Sequence, residues 1–278
     1  MPHVHPTAVI SSEARLAPDV TVGPFAVIEG PVTVGPGCTI AARAHLIGPL
    51  TLGANNAIHS GAVLGGDPQH LGYKGEPTNV EIGSGNIFRE HATVHRGMPV
   101  GVGPGTGTTI IGDRCLFMAG AHVAHDCVVG SDVILANGAL LGGHVVVGDR
   151  ALISGNSAVH QFCRVGRLAL LSGTSASTKD IPPFWVMQNV NHVRGLNLVG
   201  MKRAGIAPAE RVAIRSAFKI IYLSRPALLL SAAVDRIEAE LGHFPAIQEL
   251  VQFVRTSKRG VAGAHRYVAG DDGDSLAA

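Results

Sequence analysis

The sequence predicts a mainly β fold: a parallel β-helix wound from six-residue rungs, followed by a small α-helical C-terminal domain. Three observations predict it. An apolar residue recurs at every sixth position, a small residue recurs four places after it, and helical periodicity enters only beyond Pro183. Each unit of such a repeat buries its apolar face only against its neighbours, so the period outranks local propensity.

From Val4 the period runs without a miss through Ile10, Leu16, Val22, Ile28, Val34, Ile40, Leu46, Leu52, Ile58 and Leu64. It resumes at Ile82, Phe88 and Val94, and again from Ile111 through Phe117, Val123, Val129, Leu135, Leu141, Val147, Ile153, Val159, Val165 and Leu171. The companion position is usually small, as at Ala44, Ala121, Cys127, Ala139, Ser157 and Cys163. This matches neither the helical period of about 3.6 nor the strand period of about 2. It matches a prism with three short strands per turn, hence eighteen residues per coil, each coil pairing with the next at roughly 4.8 Å. A composition of 4% aromatics and 36 glycines suits layers of small and β-branched side chains, with Gly, Asp and Asn at the turns.

The β-helix is expected over residues 1–190, with loops expelled near 65–79 and 97–109, where the register breaks. The second loop, Gly101 to Gly107, is glycine-rich but lacks the Gly-Lys-Ser/Thr of a phosphate loop and reads as a flexible connection. Past Ile181-Pro182-Pro183, the segments Pro208 to Leu223, Pro226 to Leu241 and Pro245 to Ser257 each open on proline, which suits a first helical turn. They define a helical domain over 191–260, and residues 261–278 read as a flexible tail.

A net charge of +2 argues against whole-molecule attraction to nucleic acid or membrane. The charge is uneven, however: ten Lys or Arg stand against five Asp or Glu between Lys202 and Arg259. No secretory leader and no apolar run long enough to span a bilayer is visible. Four cysteines without paired spacing suggest reduced thiols and a cytoplasmic location.

Chemistry concentrates in His122-Val123-Ala124-His125-Asp126-Cys127, Gly143-His144 and His160-Gln161. His125, Gly143 and Gln161 are eighteen apart, as are Asp126 and His144, so the coil stacks them along one edge. A neutral imidazole at His125 can accept a proton, a carboxylate beside it can orient the ring, and a bare Gly143 N–H can hold an oxyanion. Taken singly, His122 and His160 also read as solvated corner residues. Cys127 occupies the small inward position, so packing is favoured over a nucleophilic role. The rival reading is a zinc site on His122, His125, His144 and His160.

At these residues the chain resembles the hexapeptide-repeat acyltransferases that begin lipid A synthesis by acylating UDP-N-acetylglucosamine from acyl carrier protein. The matching runs include Gly75-Glu76-Pro77-Thr78, Val94-His95-Arg96-Gly97, Ile134-Leu135-Ala136-Asn137, Ala158-Val159-His160-Gln161-Phe162-Cys163 and Asp180-Ile181-Pro182-Pro183, besides the histidine cluster. The resemblance implies left-handed winding and a homotrimer with active sites in the clefts between subunits. It implies no metal and no cofactor, the acyl group arriving on the phosphopantetheine of acyl carrier protein. It casts His125 as general base, Asp126 as its orienting partner and the Gly143 N–H as oxyanion donor. Gln69, His70, His122, His144, His160 and Gln161 would line the substrate cleft, Gly173 and His192 the far end of the acyl groove, and Asn197 and Arg203 the nucleotide end. Arg211, Arg215, Lys219, Arg255, Lys258 and Arg259 would suit an acidic carrier.

His70 and Gly72 stand where the family usually has Asp and Lys, and Val199 and Ala204 where it has Glu and Arg. These departures raise a 3-amino sugar nucleotide as an alternative acceptor. Other readings are the later N-acyltransferase of the same pathway, a family with a separate N-terminal nucleotide-binding domain where this sequence has repeats by Val4, a zinc hydratase of carbonic-anhydrase type, and a non-catalytic scaffold.

Overall fold

A computed structural model describes residues 1–224 and 226–263. Strands of two to five residues form three sheets of eleven, nine and eight strands, one on each face of a prism. The pairing is parallel and follows the eighteen-residue offset, as in Ile134↔Leu152 and Leu152↔Leu170. The hexad leaders from Val22 to Leu171 point inward and are buried, whereas Val4 on the uncovered first coil is 40% exposed. Where two leaders are aromatic, Phe88 and Phe117 stack at 4.7 Å. Two inward positions carry asparagine. Asn56 and Asn86 bond each other and the carbonyls of Gly53, Gly83 and Gly112, so no buried amide is orphaned there.

From Asp126 to Phe162, each corner between strands is a two-residue turn whose second member takes a left-handed conformation: Asp126 (φ 59), Asp132 (φ 58), Gly138 (φ 64), His144 (φ 61), Arg150 (φ 56), Asn156 (φ 52) and Phe162 (φ 65). Left-handed backbone is disfavoured for residues with a Cβ. The ladder above and below compensates, because at these corners other than Asp126 the N–H of that residue bonds the carbonyl one coil back, as His144 to His125 and Phe162 to Gly143 (both 3.0 Å). The first corner residue, where it is not proline, is then left with an N–H that the ladder does not use.

The prism ejects two segments. Val63 pairs with Thr93 and Thr93 with His122, so the offset grows from eighteen to thirty and then to twenty-nine. The excess is expelled between strands Val63–Gly66 and Asn79–Ile82, and between Thr93–His95 and Thr108–Ile111. The 97–109 loop is not the loose connection expected from its glycines. Its stem is closed by Gly107 N–H donating to Met98 O at 2.7 Å, and the Met98 side chain is 2% exposed.

The sheet also runs past the expected boundary at 190. The strand His192–Leu196 returns antiparallel along Trp185–Gln188, because a hairpin can extend a sheet after the hexad repeat has ended. Four helices follow: α1 (Leu198–Arg203), α2 (Pro208–Tyr222), α3 (Leu230–Leu241) and α4 (Pro245–Arg255). The helix expected from Pro226 begins instead at Leu230. Its inward face starts only at Ala233, and Pro226 to Leu229 are exposed, so no packing offsets the cost of a longer helix. Trp185, fully buried, closes the last coil by meeting Phe218 of α2 edge-on at 5.4 Å and donating from Nε1 to the Tyr222 hydroxyl. Val261 and Gly263, expected in the tail, form bridges to Asp180 and His192; the rest of that stretch lies outside the described residues.

Candidate active site

The corner His125–Asp126 lies between strands His122–Val123 and Val128–Val129, with Gly143–His144 stacked on the next coil. The His125 ring rests directly over Gly143: a Cβ at 143 would fall 2.6 Å from the ring's Cε1 and 2.7 Å from Nε2. Only glycine leaves room for the imidazole. The Gly143 N–H is one of the corner amides left out of the ladder, and no hydrogen bond within the described residues uses it.

His125 Nδ1 meets Asp126 Oδ2 at 2.7 Å, and the carboxylate is wholly buried. Its remaining lone pairs are occupied by the ejected loop: Met98 N–H donates to Oδ2 (3.0 Å), while Thr106 N–H and hydroxyl both donate to Oδ1 (2.7 Å each). Thr109 Oγ1 accepts the Asp126 N–H at 2.8 Å. Burial by itself pushes the Asp126 carboxyl up, but the bonds from His125, Met98 and Thr106 outweigh it and bring the group down to about 2. A permanent anion thus holds the proton of His125 on Nδ1 and leaves the lone pair on Nε2.

Other imidazoles surround this pair. His144 stands edge-on to His125 at 5.1 Å, its Nε2 is 3.6 Å from Asp126 Oδ2, and its other side stacks on Phe162 at 4.6 Å. His122 bonds Thr93 Oγ1 at 2.8 Å and meets His95 edge-on at 5.0 Å. Burial, then the neighbouring His95 and His125, lowers His122 to about 4, and burial also lowers His95 and His144. These three rings are neutral hydrogen-bonding groups near neutral pH.

His70 reaches the cluster from the 67–78 loop, edge-on to His125 at 5.6 Å. Its Nδ1 accepts the Gly72 N–H at 3.0 Å, which fixes the neutral ring as the Nε2–H tautomer. A Cβ at 72 would lie 3.0 Å from that Nδ1. The two departures from the family pattern in this loop, His70 and Gly72, are therefore one arrangement. Arg96, 8% exposed, pins the loop by bonding Asp67, Tyr73 and the Gly48 carbonyl.

Gln161 and His160 lie one coil further on and are exposed, with His160 Nδ1 3.3 Å from Arg259. Gln69 is exposed on the same loop as His70. Gly173 sits on another edge of the prism, over Gly155. His192 lies on the terminal hairpin, Asn197 is the N-cap of α1 and Arg203 ends that helix. Within one chain these four are not gathered around His125. The Asn197 side chain is also engaged: its Oδ1 caps α1 at Gly200 N–H and its Nδ2 donates to Leu168 O. Among the carrier-facing candidates, Arg255 is neutralised by Asp235 and Glu238, whereas Arg211, Arg215 and Lys219 recur every fourth residue along α2.

The metal reading loses its donor set. The three groups that converge are His125, Asp126 and His144, not His122 or His160, and both Asp126 oxygens already accept two donors each. Cys127 is likewise unsuited to attack, since burial raises its thiol to about 12 and its Sγ donates to the Gly142 carbonyl. Spacing alone brings His125, Gly143 and His144 together, whereas Met98, Thr93, Thr106 and Phe162 join them only in the structure. Phe162 was accessible by the same step of eighteen from His144; the loop residues carried no periodic signal.

Comparison with known proteins accords with this geometry. Residues 13–48 and 108–143 match the bacterial transferase hexapeptide model, and residues 180–262 match domain 2 of UDP-N-acetylglucosamine O-acyltransferase. The acyl-[acyl-carrier-protein]–UDP-N-acetylglucosamine O-acyltransferase of Halorhodospira halophila is 44% identical over 262 residues, covering 94% of this chain and 99% of the relative. That of Anaeromyxobacter sp. strain K is 41% identical over 93% of this chain and 98% of its own length. Among solved structures, the UDP-N-acetylglucosamine acyltransferase of Francisella novicida superposes with a TM-score of 0.89 at 33% identity, covering 94% of each chain. The Acinetobacter baumannii protein gives 0.86 at 36% identity, over 93% of this chain and 99% of that one. With such identity along nearly its whole length, the chain belongs to the acyl-[acyl-carrier-protein]–UDP-N-acetylglucosamine O-acyltransferase family.

Proposed function

We propose that this protein moves a 3-hydroxyacyl group from acyl carrier protein to the 3-hydroxyl of UDP-N-acetylglucosamine, the first step of lipid A biosynthesis. The observation that carries this reading is His125, its Nδ1 held by a buried anion and its ring lying over an unused Gly143 N–H. His125 Nε2 takes the proton of the acceptor hydroxyl as that oxygen bonds the thioester carbon. The Gly143 N–H donates to the carbonyl oxygen as it becomes an oxyanion. Collapse breaks the C–S bond, and the imidazolium returns its proton to the departing phosphopantetheine thiolate.

The hydroxyl acceptor is favoured because the relatives are named for UDP-N-acetylglucosamine and no carboxylate at the site is placed to bind the 3-ammonium form of an amino sugar. Asp126 has no vacant lone pair and Asp67 is paired with Arg96, so neither carboxylate is available to hold a cation. His122, His144 and His160 would bind the sugar and acyl portions, Gln69 and His70 the mouth, and Asn197 and Arg203 the nucleotide.

A homotrimer fits the outer surface. Along one face the outward strand positions are polar at Thr33, Thr51 and Glu81, turn apolar at Ile110, Val128 and Val146, and return to Arg164. The three apolar residues, each about 40% exposed, flank the His125 corner, where a neighbouring copy would cover them and close the cleft. Such closure is how Gly173 and His192 of a second copy could enter the site. The exposed Arg215 and Lys219 would steer the acidic carrier. Four buried thiols suit a reducing cytoplasm, and among the described residues no helix is long and apolar enough to cross a membrane.

The test is mass spectrometry of products formed from 3-hydroxyacyl carrier protein with UDP-N-acetylglucosamine and with its 3-amino analogue. The 3-O-acyl product should dominate. In the same assay His125→Ala should lower turnover by roughly 10²–10⁴-fold while the fold persists. Near-normal turnover in that variant, or preference for the amine, would overturn the corresponding assignment.

A further inference from the structure

We propose that Thr106 is a positioning residue for the His125–Asp126 pair, and that the 96–107 loop serves as a clamp on the Asp126 carboxylate. The consequence for turnover rests on the acyltransferase reading above, whereas the clamp itself does not.

The loop is shaped for this contact. Its stem is closed between Gly107 N–H and Met98 O, which brings the N–H groups of Met98 and Thr106 to converge on one carboxylate. Gly105 passes so close to the opposite strand of the loop that a Cβ would fall 2.3 Å from Pro99 O and 2.8 Å from Met98 O. Glycine at this position lets the stem close. Just beyond the loop, Thr109 holds the Asp126 backbone, so one segment fixes both the main chain and the carboxylate of the same residue.

Thr106 contributes two of the four donors, and its hydroxyl is the one side-chain donor that the loop supplies, the other side-chain donor being His125 itself. With that hydroxyl removed, Oδ1 keeps only the Thr106 N–H. The carboxylate is then free to turn toward His144 Nε2, the competing group 3.6 Å away. His125 Nδ1–H loses its constant acceptor, and the tautomer protonated at Nε2 becomes populated. That tautomer has no lone pair at Nε2 with which to take the acceptor's proton. Thr106 thus acts on the chemical step through Asp126 without touching either substrate.

The test compares Thr106→Val, which keeps the side-chain shape but removes the donor, with Thr106→Ser, which keeps the donor. Steady-state kinetics and ¹⁵N imidazole NMR of His125 are read on the same intact, full-length proteins. Thr106→Val should lower kcat about tenfold while KM for either substrate stays within about twofold. The His125 nitrogen signals should move from the Nδ1–H pattern toward a mixture of tautomers. Thr106→Ser should restore both, and Gly105→Ala, which opens the stem, should shift them in the same direction as Thr106→Val.

Wild-type kcat and tautomer in Thr106→Val would overturn the proposal, as would failure of serine to restore them or a fall in kcat with the tautomer unchanged. The NMR readout needs no substrate. A tautomer shift in a protein that acylates no UDP-sugar would support the clamp and remove only the acyltransferase reading.

Discussion

At the scale of single residues, the site is organised by how hydrogen-bonding capacity is allotted. Asp126 is surrounded by donors and remains an anion, and His125 has one nitrogen occupied and one free. The Gly143 amide is spare because the first residue of a corner, where it is not proline, keeps its N–H outside the ladder. Asp126 also links the site to acid stability. Its carboxyl is lowered in the fold to about 2, below the ordinary value near 3.9, so its stabilisation is complete above about pH 4 and is lost as pH falls toward 2. Between pH 5 and 2, denaturant unfolding of the wild type should lose about 2 kcal/mol more than that of Asp126→Asn, which has no proton to take up. Parallel losses in the two proteins would show that the carboxylate is not held as described. For Cys127 the raised thiol and inward position leave packing as its only role.

The elements that matter most are the two ejected loops, because the prism alone supplies His122, His125 and His144 but neither His70 nor the clamp. The 67–78 loop is fastened by Arg96, and its tip depends on Gly72 having no side chain. Gly72→Ala should displace the His70 ring from the mouth of the site. The expected outcome is a several-fold rise in KM for the UDP-sugar with kcat little changed, since His70 faces the mouth while the base and its anion are untouched. An unchanged KM would separate His70 from acceptor binding.

Taken as a whole molecule, the chain joins a quasi-one-dimensional prism to a helical cap. Arg164 is a principal fastening: it pairs with Asp180 at 3.0 Å, donates to Phe253 O and Thr256, and lies over the Phe253 ring at 4.3 Å. Asp180 is 1% exposed and also accepts from Ser257. Removing the cation leaves a buried carboxylate short of its partner, so Arg164→Met should destabilise the junction by about 3–5 kcal/mol. Limited proteolysis should then release the helices well before the β-helix is cut; simultaneous digestion would indicate that other contacts dominate the junction.

Much of the architecture could be read from the sequence, because a solenoid converts sequence separation directly into spatial position. A step of eighteen fixed the neighbours of His125, and the hexad leaders identified the core from Val22 to Leu171. Helices α2 and α4 were legible from their initial prolines, but α3 was placed four residues early, since its start depends on where burial begins. What only the tertiary structure decided lies where the period stops. The aperiodic segment 96–107 offers nothing to count, so its glycines resembled slack. Its closed stem instead directs a threonine and two backbone amides at one carboxylate. Periodic residues are located by the repeat itself, whereas an ejected loop is located by the contacts it makes after leaving the prism.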